Sequence, residues 1–319
     1  MSSAGLKGSA VAERGPIAVI LTGGKATRLR PLSYELPKAL VPVLNRPLIA
    51  YALERLAETG IDDVWIVVMP GDERTEEAAR ASAPGGMKIS VAVQPEPNGP
   101  GDAVAQVPHD QLRGRHVAVI AADALLYGGD LKGQFDSWLS EPVDAWLPLA
   151  PTDVPKSMGI AQLDGERITE FIEKPEHPKG NLASPAWWLL GPAAVDRVLD
   201  DPVINAKGEL EMSGTLTAMI DEGHPVGGRR FDGEWLDTGT LEALLATQAR
   251  LLEDRDSSVL IASDADVEDC ELGPNVVVGA GCRLRNVKLS DALVAAGGHL
   301  EAIEDSGIVV TPSGQIGRP

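Results

Sequence analysis

The sequence predicts an α/β fold: a Rossmann-like mixed, mostly parallel sheet flanked by helices, with a short C-terminal appendage that resembles a left-handed β-helix. Three observations carry this prediction. Short apolar runs alternate with amphipathic stretches over the first half of the chain, as they do in βαβ units. Segments of alternating polar and apolar residues follow, the pattern of antiparallel strands added to a sheet. From Ser257 the texture changes to Val, Ile, Gly, Asp and Asn with few helix formers.

The elements follow in order. Ile17 to Leu21 is a continuous apolar run that leads into Gly23 and Gly24, which is how a strand buried on both faces reads before a phosphate-type loop. Pro47 suits a first helical turn, and Leu48, Leu53, Leu56 and Ala57 give an apolar face up to a stop at Gly60. Asp63 to Met69 is a second buried strand, so strand, helix and strand predict a right-handed crossover and parallel pairing. Ile89 to Gln94, a helix from Gly101 and the run Val117 to Ala122 continue the alternation. Beyond Pro151, Gly159 to Leu163 and Ile168 to Ile172 read as antiparallel strands, and Glu209 to Ile220 and Thr240 to Leu252 as helices. In the last part Leu272, Val278 and Leu284 recur every six residues, with Gly273 and Gly279 after the first two, as in a hexapeptide repeat. These changes divide the chain into a small, polar tail over residues 1–15, a main domain over 16–255 and an appendage over 256–319.

With 319 residues, 44% of them hydrophobic, the chain can bury the core of one large α/β domain and an appendage. Its formal net charge of −19 argues against a nucleic-acid partner, because such surfaces neutralise phosphates with Lys and Arg. A small anionic substrate would need a local island of positive charge. No run approaches the roughly 18 apolar residues of a membrane span, and the start has no apolar stretch of a secretory signal, so a cytoplasmic protein without a membrane partner is expected. Cys270 and Cys282 lack companion histidines and suit neither a disulfide framework nor a zinc site.

The strongest chemical signal is LTGGKATRLRP at Leu21 to Pro31, followed by ELPKALVPV at Glu35 to Val43. Glycines after a strand let backbone N–H groups close around phosphate oxygens, and Arg28 and Lys38 can add fixed positive charge. The segment is not a P-loop, and the absence of a dinucleotide fingerprint removes the reading as a NAD-dependent dehydrogenase. The pair of strings resembles the signature of the nucleoside-diphosphate-sugar pyrophosphorylases, the sugar-1-phosphate nucleotidyltransferases. Their usual loop is GG-x-G-T-R-L-x-P, with P-K a short fixed distance on.

That resemblance spans roughly Ile17 to Leu252 and implies a role for each further motif. Gly23, Gly24 and Thr27 would hold the nucleotide, and Gln94, in QPEPNGPGDAVAQ, would read the base with Gly99 letting it lie close to the backbone. Asp123, after VAVIAA, and Asp237, in EWLDTGT, would bind Mg2+. Gly159 and, in FIEKP, Glu173 and Lys174 would hold the sugar. Arg28, Lys38 and Lys174 would be the catalytic cations. The partners implied are a nucleoside triphosphate and a sugar 1-phosphate, dTTP or UTP being slightly favoured over GTP, and a homo-oligomer is expected. In such a reaction the sugar phosphate is already largely dianionic, its second pKa being about 6, so no general base is required. The five histidines, His109, His116, His177, His224 and His299, fall in none of the motifs.

Four departures stand out. Ala26 replaces the second loop glycine and Ala122 the glycine before the metal aspartate. Pro185 and Ala186 stand where T-G is frequent, and Gly214 stands where thymidylyltransferase-like members have an aspartate. They keep open a catalytically silent, nucleotide-sugar-binding regulatory subunit of the same fold. Retention of Arg28, Lys38, Asp123, Lys174 and Asp237 together favours the enzyme.

Overall fold

Four apolar runs form the parallel half of a ten-stranded sheet in the computed structural model, which describes residues 14–24 and 26–319. The tail expected over residues 1–15 lies almost wholly outside the described residues. The parallel strands lie in the order Lys88–Val93, Asp63–Val68, Ile17–Leu21 and Val117–Ala121. Successive residues of a strand point to opposite faces, and here both faces are covered. Ile17, Val19, Val117 and Val119 enter one core with Ala194, Val195 and Leu216, whereas Ala18, Ile20, Ala118 and Ile120 enter the other with Leu53, Leu56, Phe135 and Trp138.

The helix expected after Pro47 spans Leu48–Thr59, buries Leu48, Ile49, Leu53 and Leu56, and ends at Gly60. Thr240 caps the helix Leu241–Glu253 by accepting the Ala243 N–H. The segment expected to be helical from Glu209 begins with a two-residue strand, Leu210–Glu211, and becomes helix only over Met212–Asp221. The helix expected from Gly101 spans Pro100–Ala105, and helices at Glu73–Ser82, Leu131–Ser140 and Pro192–Asp200 add to the cover.

The sheet is mixed, and antiparallel pairing dominates its second half, against the expectation of a mostly parallel sheet. Trp187–Leu190 runs antiparallel to both Val117–Ala121 and Ala145–Pro151, and Arg167–Glu173 runs antiparallel to Gly159–Asp164 and Val226–Arg230. Among the described residues of this half, only Val226–Arg230 and Ala145–Pro151 pair in parallel. The reason is the connections: a parallel neighbour needs a long crossover, and the two-residue link between Asp164 and Arg167 permits only a hairpin.

Beyond residue 257 short strands pair in parallel, one coil on the next, except that the last strand, Ile316–Gly317, runs antiparallel to Glu304–Val310. Val259, Val276, Ala292 and Ile308 are successive partners on one face, and Val267, Leu284 and Leu300 on another. Leu272, Val278 and Leu284 therefore lie on successive strands of one coil rather than above one another. Left-handed corners at Asp269, Asn275, Asn286 and Asp291 account for the Asn and Asp in this stretch, since these residues tolerate positive φ best after glycine. Val277, Leu293 and Val309 pack outward against Leu29, Leu32 and Leu244, which couples the coils to the loop after the first strand.

Candidate active site

The carboxyl ends of the parallel strands open onto two connected cavities. In open α/β sheets this is where ligands bind. The smaller lobe, about 480 Å³, is lined by Gly23, Gly24, Lys38, Gln94, Gly99 and Asp123 among others. The larger, about 600 Å³, is lined by Arg28, Asp123, Gly159, Glu173, Lys174 and Asp237 among others. Asp123 and Trp188 border both, so the two lobes meet at the aspartate.

Each expected residue is placed by its own element. Thr22 at the end of the first strand is tied to the Val67 carbonyl by its hydroxyl at 2.7 Å and fixes where the glycine loop leaves the sheet. Gly23 lies against the Gln94 amide: a Cβ there would be 3.2 Å from Oε1. Gly99 has φ +102 and touches the Leu210 carbonyl so closely that any Cβ would collide at 2.5 Å, so only glycine fits. Arg28 lies in the short turn Thr27–Leu29, anchored by fully buried Leu29, and its Nη2 would be 3.3 Å from a Cβ on Gly239, beside Asp237. Thr27 is exposed and lines neither lobe. Lys25 lies outside the described residues.

The two aspartates reach the same place from different strands. Asp123 follows Val117–Ala121, and Asp237 ends the strand Glu234–Asp237. That strand pairs antiparallel with Ala124–Tyr127, with Asp237 opposite Ala124, so the carboxylates come from adjoining positions of one ladder. The Thr238 hydroxyl donates to the Asp123 carbonyl at 3.0 Å, and Asp237 Oδ1 accepts the Gly239 N–H at 2.9 Å. Lys38 Nζ forms an ion pair with Asp123 Oδ2. No cluster of three or more His, Cys, Asp or Glu suited to a metal ion occurs among the described residues. Two hard oxygen donors beside a place for phosphate fit a magnesium-type ion, which keeps several waters and is bound by one or two carboxylates plus substrate oxygens.

In the larger lobe Gly159 is the direct cross-strand partner of Glu173. Lys174 follows with φ +47, its N–H donating to the Met158 carbonyl at 2.9 Å, and its Nζ reaches Glu173 Oε1 at 2.5 Å. The same wall carries groups that the sequence did not reveal: Lys156, Asn205, Glu209 and Glu211. Burial pushes the Glu211 carboxyl above the usual carboxylate range, and Glu173 pushes it further, against the pull of Lys174. Glu209 and Glu211 are two apart in GELE, the strand spacing that puts two side chains on one face. Reading GELE as the start of a helix hid that signal.

Arg28, Lys38, Lys156 and Lys174 line the two lobes together with Asp123, Glu173, Glu209, Glu211 and Asp237, so the cations are interleaved with carboxylates rather than gathered into an island of positive charge. Fixed cations and carboxylates beside a glycine loop can hold phosphate oxygens, directly or through a divalent ion.

Over 285 residues the chain is 32% identical to a glucose-1-phosphate thymidylyltransferase of Streptomyces antibioticus, covering 88% of this chain and 78% of that protein. It is 28% identical to a probable mannose-1-phosphate guanylyltransferase of Arabidopsis thaliana, over 89% of this chain and 82% of the relative. In fold it resembles the UDP-glucose pyrophosphorylase of Acinetobacter baumanii, with a TM-score of 0.67 at 21% identity over 76% of this chain and 95% of that one. The nucleotidyl transferase family model matches residues 17–254, and the chain belongs to that family.

Proposed function

We propose that this protein is a sugar-1-phosphate nucleotidyltransferase that makes a nucleoside diphosphate sugar and releases pyrophosphate. A single observation carries the reading: Arg28, Lys38, Asp123, Lys174 and Asp237 all border two lobes that meet at Asp123. In the proposed reaction a non-bridging oxygen of the sugar phosphate attacks the α-phosphorus of the triphosphate, that phosphorus keeps the new bond, and its bond to the bridging oxygen breaks in line. The barrier is the approach of two anions and the charge gathering on pyrophosphate, both lowered by positioned cations.

Within this reading the smaller lobe takes the base, with Gln94 and Gly99 reading it and Gly23 and Gly24 serving the nucleotide, while Thr27 stands outside the lobe. Arg28 and Lys38 steady the leaving pyrophosphate, Lys174 holds the sugar phosphate in line, and Gly159 and Glu173 hold the sugar. Asp123 and Asp237 would hold Mg2+, which when bound supplies charge neutralisation at the α-phosphate. A pyrimidine triphosphate, dTTP or UTP, is favoured over GTP by the QPEPNG context. Residues 16–255 form the catalytic unit and 256–319 a left-handed β-helix-like appendage, in a homo-oligomer.

The test is pyrophosphate release with Mg2+, each of dTTP, UTP, GTP, CTP and ATP, and a panel of hexose 1-phosphates. Release should require both substrates and fall in Lys174→Ala. Nucleotide-sugar binding without release from any pair would instead support a silent regulatory subunit.

A further inference from the structure

Gln94 is only 4% exposed, and both hydrogens of its side-chain amide are committed. Nε2 donates to Asp102 Oδ2 at 2.8 Å and to the Gly99 carbonyl at 3.1 Å. Both partners are acceptors only, so the amide cannot turn over without setting its own oxygen against a carboxylate and a carbonyl. Oε1 is left on the side of Gly23, and among the described residues no donor serves it. Gln94 lines the smaller lobe, but Asp102 does not. Asp102 is itself steadied by Gln106, whose Nε2 lies 3.3 Å from Oδ1.

We infer that Asp102 is a positioning residue for base selection: it holds the Gln94 amide so that the lobe is read by a hydrogen-bond acceptor. This rests on the reading of that lobe as the base site. An acceptor suits bases with a ring N–H on the pairing edge, namely uracil, thymine and guanine. Cytosine and adenine place a ring acceptor there and would face Oε1 lone pair to lone pair. The clamp thus sorts nucleotides by one ring proton, and it does so from outside the cavity.

The test is equilibrium binding of UTP, dTTP, GTP, CTP and ATP by calorimetry, with pyrophosphate release measured on the same proteins. The wild-type protein should favour the ring N–H group by about tenfold or more, the scale of one hydrogen bond made or denied. In Asp102→Asn the new amide can donate to Gln94 Oε1 as well as accept from Nε2, so the preference should shrink toward parity. Thermal melting of the variant separates a shift in preference from loss of fold. A preference unchanged within about twofold in a folded Asp102→Asn protein overturns the clamp, as does a wild-type preference for CTP or ATP. No nucleotide binding at all overturns both the clamp and the transferase reading. The expected binding pattern without turnover supports the clamp and counts against the transferase reading alone.

Discussion

Replacing Gly159 with alanine tests the sugar lobe most sharply, because the geometry fixes both the stability cost and the substrate affected. A Cβ at 159 would lie 2.8 Å from Phe171 Cζ, 3.0 Å from Cε2 and 2.9 Å from Glu173 Oε2. Carbon atoms in contact sit at roughly 3.5–4.0 Å, so the ring edge is overlapped by more than half an ångström. Phe171 is 1% exposed and cannot swing aside. The added methyl must therefore part the hairpin Gly159–Asp164 and Arg167–Glu173 or push the Glu173 carboxylate away. Overpacking of this kind costs about 1–3 kcal/mol, which equilibrium urea unfolding would read as a lower midpoint at unchanged slope. Loss of the Glu173 contact to a sugar hydroxyl should lower kcat/KM for the sugar phosphate about tenfold or more. In the proposed reading the base sits in the other lobe, so the KM for the triphosphate should stay within about twofold. Unchanged stability together with an unchanged KM for the sugar phosphate would refute the geometry, and a rise confined to the nucleotide KM would refute the assignment of the lobe.

Four further outcomes are expected. Asp237→Asn keeps the oxygen that accepts the Gly239 N–H and so should fold normally, yet lose at least about a hundredfold in pyrophosphate release; Asp123→Asn should lose activity and also about 1–2 kcal/mol in urea unfolding, because Lys38 is left without its partner. Lys174→Ala should raise the KM for the sugar phosphate or lower kcat by about a hundredfold at nearly unchanged melting temperature, since the side chain is 63% exposed and the left-handed backbone is equally adverse for either residue. His116 packs edge-on against Trp138 at 5.2 Å, and burial holds its pKa below the ordinary value of about 6.5. The unfolded chain then binds the proton first as pH falls, so this stability is fully present above about pH 6.5 and is lost as pH drops through the folded value; urea midpoints should show a gentler decline below that pH in His116→Gln.

What the sequence disclosed was whatever is written locally. The phosphate loop, Lys38 behind Pro37, and aspartates closing apolar strands all lie in short strings whose residues act together, and the structure gathers them around one double cavity. The wall of the larger lobe was hidden because it is assembled from distant segments with ambiguous strings. Lys156 lies in a short turn after Pro155, and Glu209 just precedes the two-residue strand Leu210–Glu211, which is too short to show a period. The pairing sense of the second half was hidden too, for a strand's direction depends on its connections rather than its composition. Buried polar contacts were equally silent: Trp146 donates to Gln134 Oε1 at 2.7 Å, from a strand position to a helix position that either sequence pattern would read as ordinary core or surface.

The substituted alanines bear on whether the site is catalytic. Ala26 and Ala186, two of the positions where the resemblance has glycine, sit at φ +43 and φ +58, in the left-handed region that glycine occupies without penalty. Lys174, which lines the larger lobe with Ala186, sits at φ +47. Each costs about 1–2 kcal/mol against a relaxed backbone, and such strain persists only where the surroundings over-determine it. Here they do: the Ala26 carbonyl accepts the N–H of fully buried Leu29, the Ala186 carbonyl accepts the N–H of Ala121, and Lys174 is held through Met158. The chain thus keeps the loop path of a glycine at positions where the side chain would relax it. Ala186 and Lys174 hold such strain on the wall of the larger lobe, as a preorganised phosphate site requires, whereas most of the other left-handed residues are Asn or Asp, which tolerate that region; a fixed backbone at the lobe supports the enzyme over a silent nucleotide-sugar-binding relative.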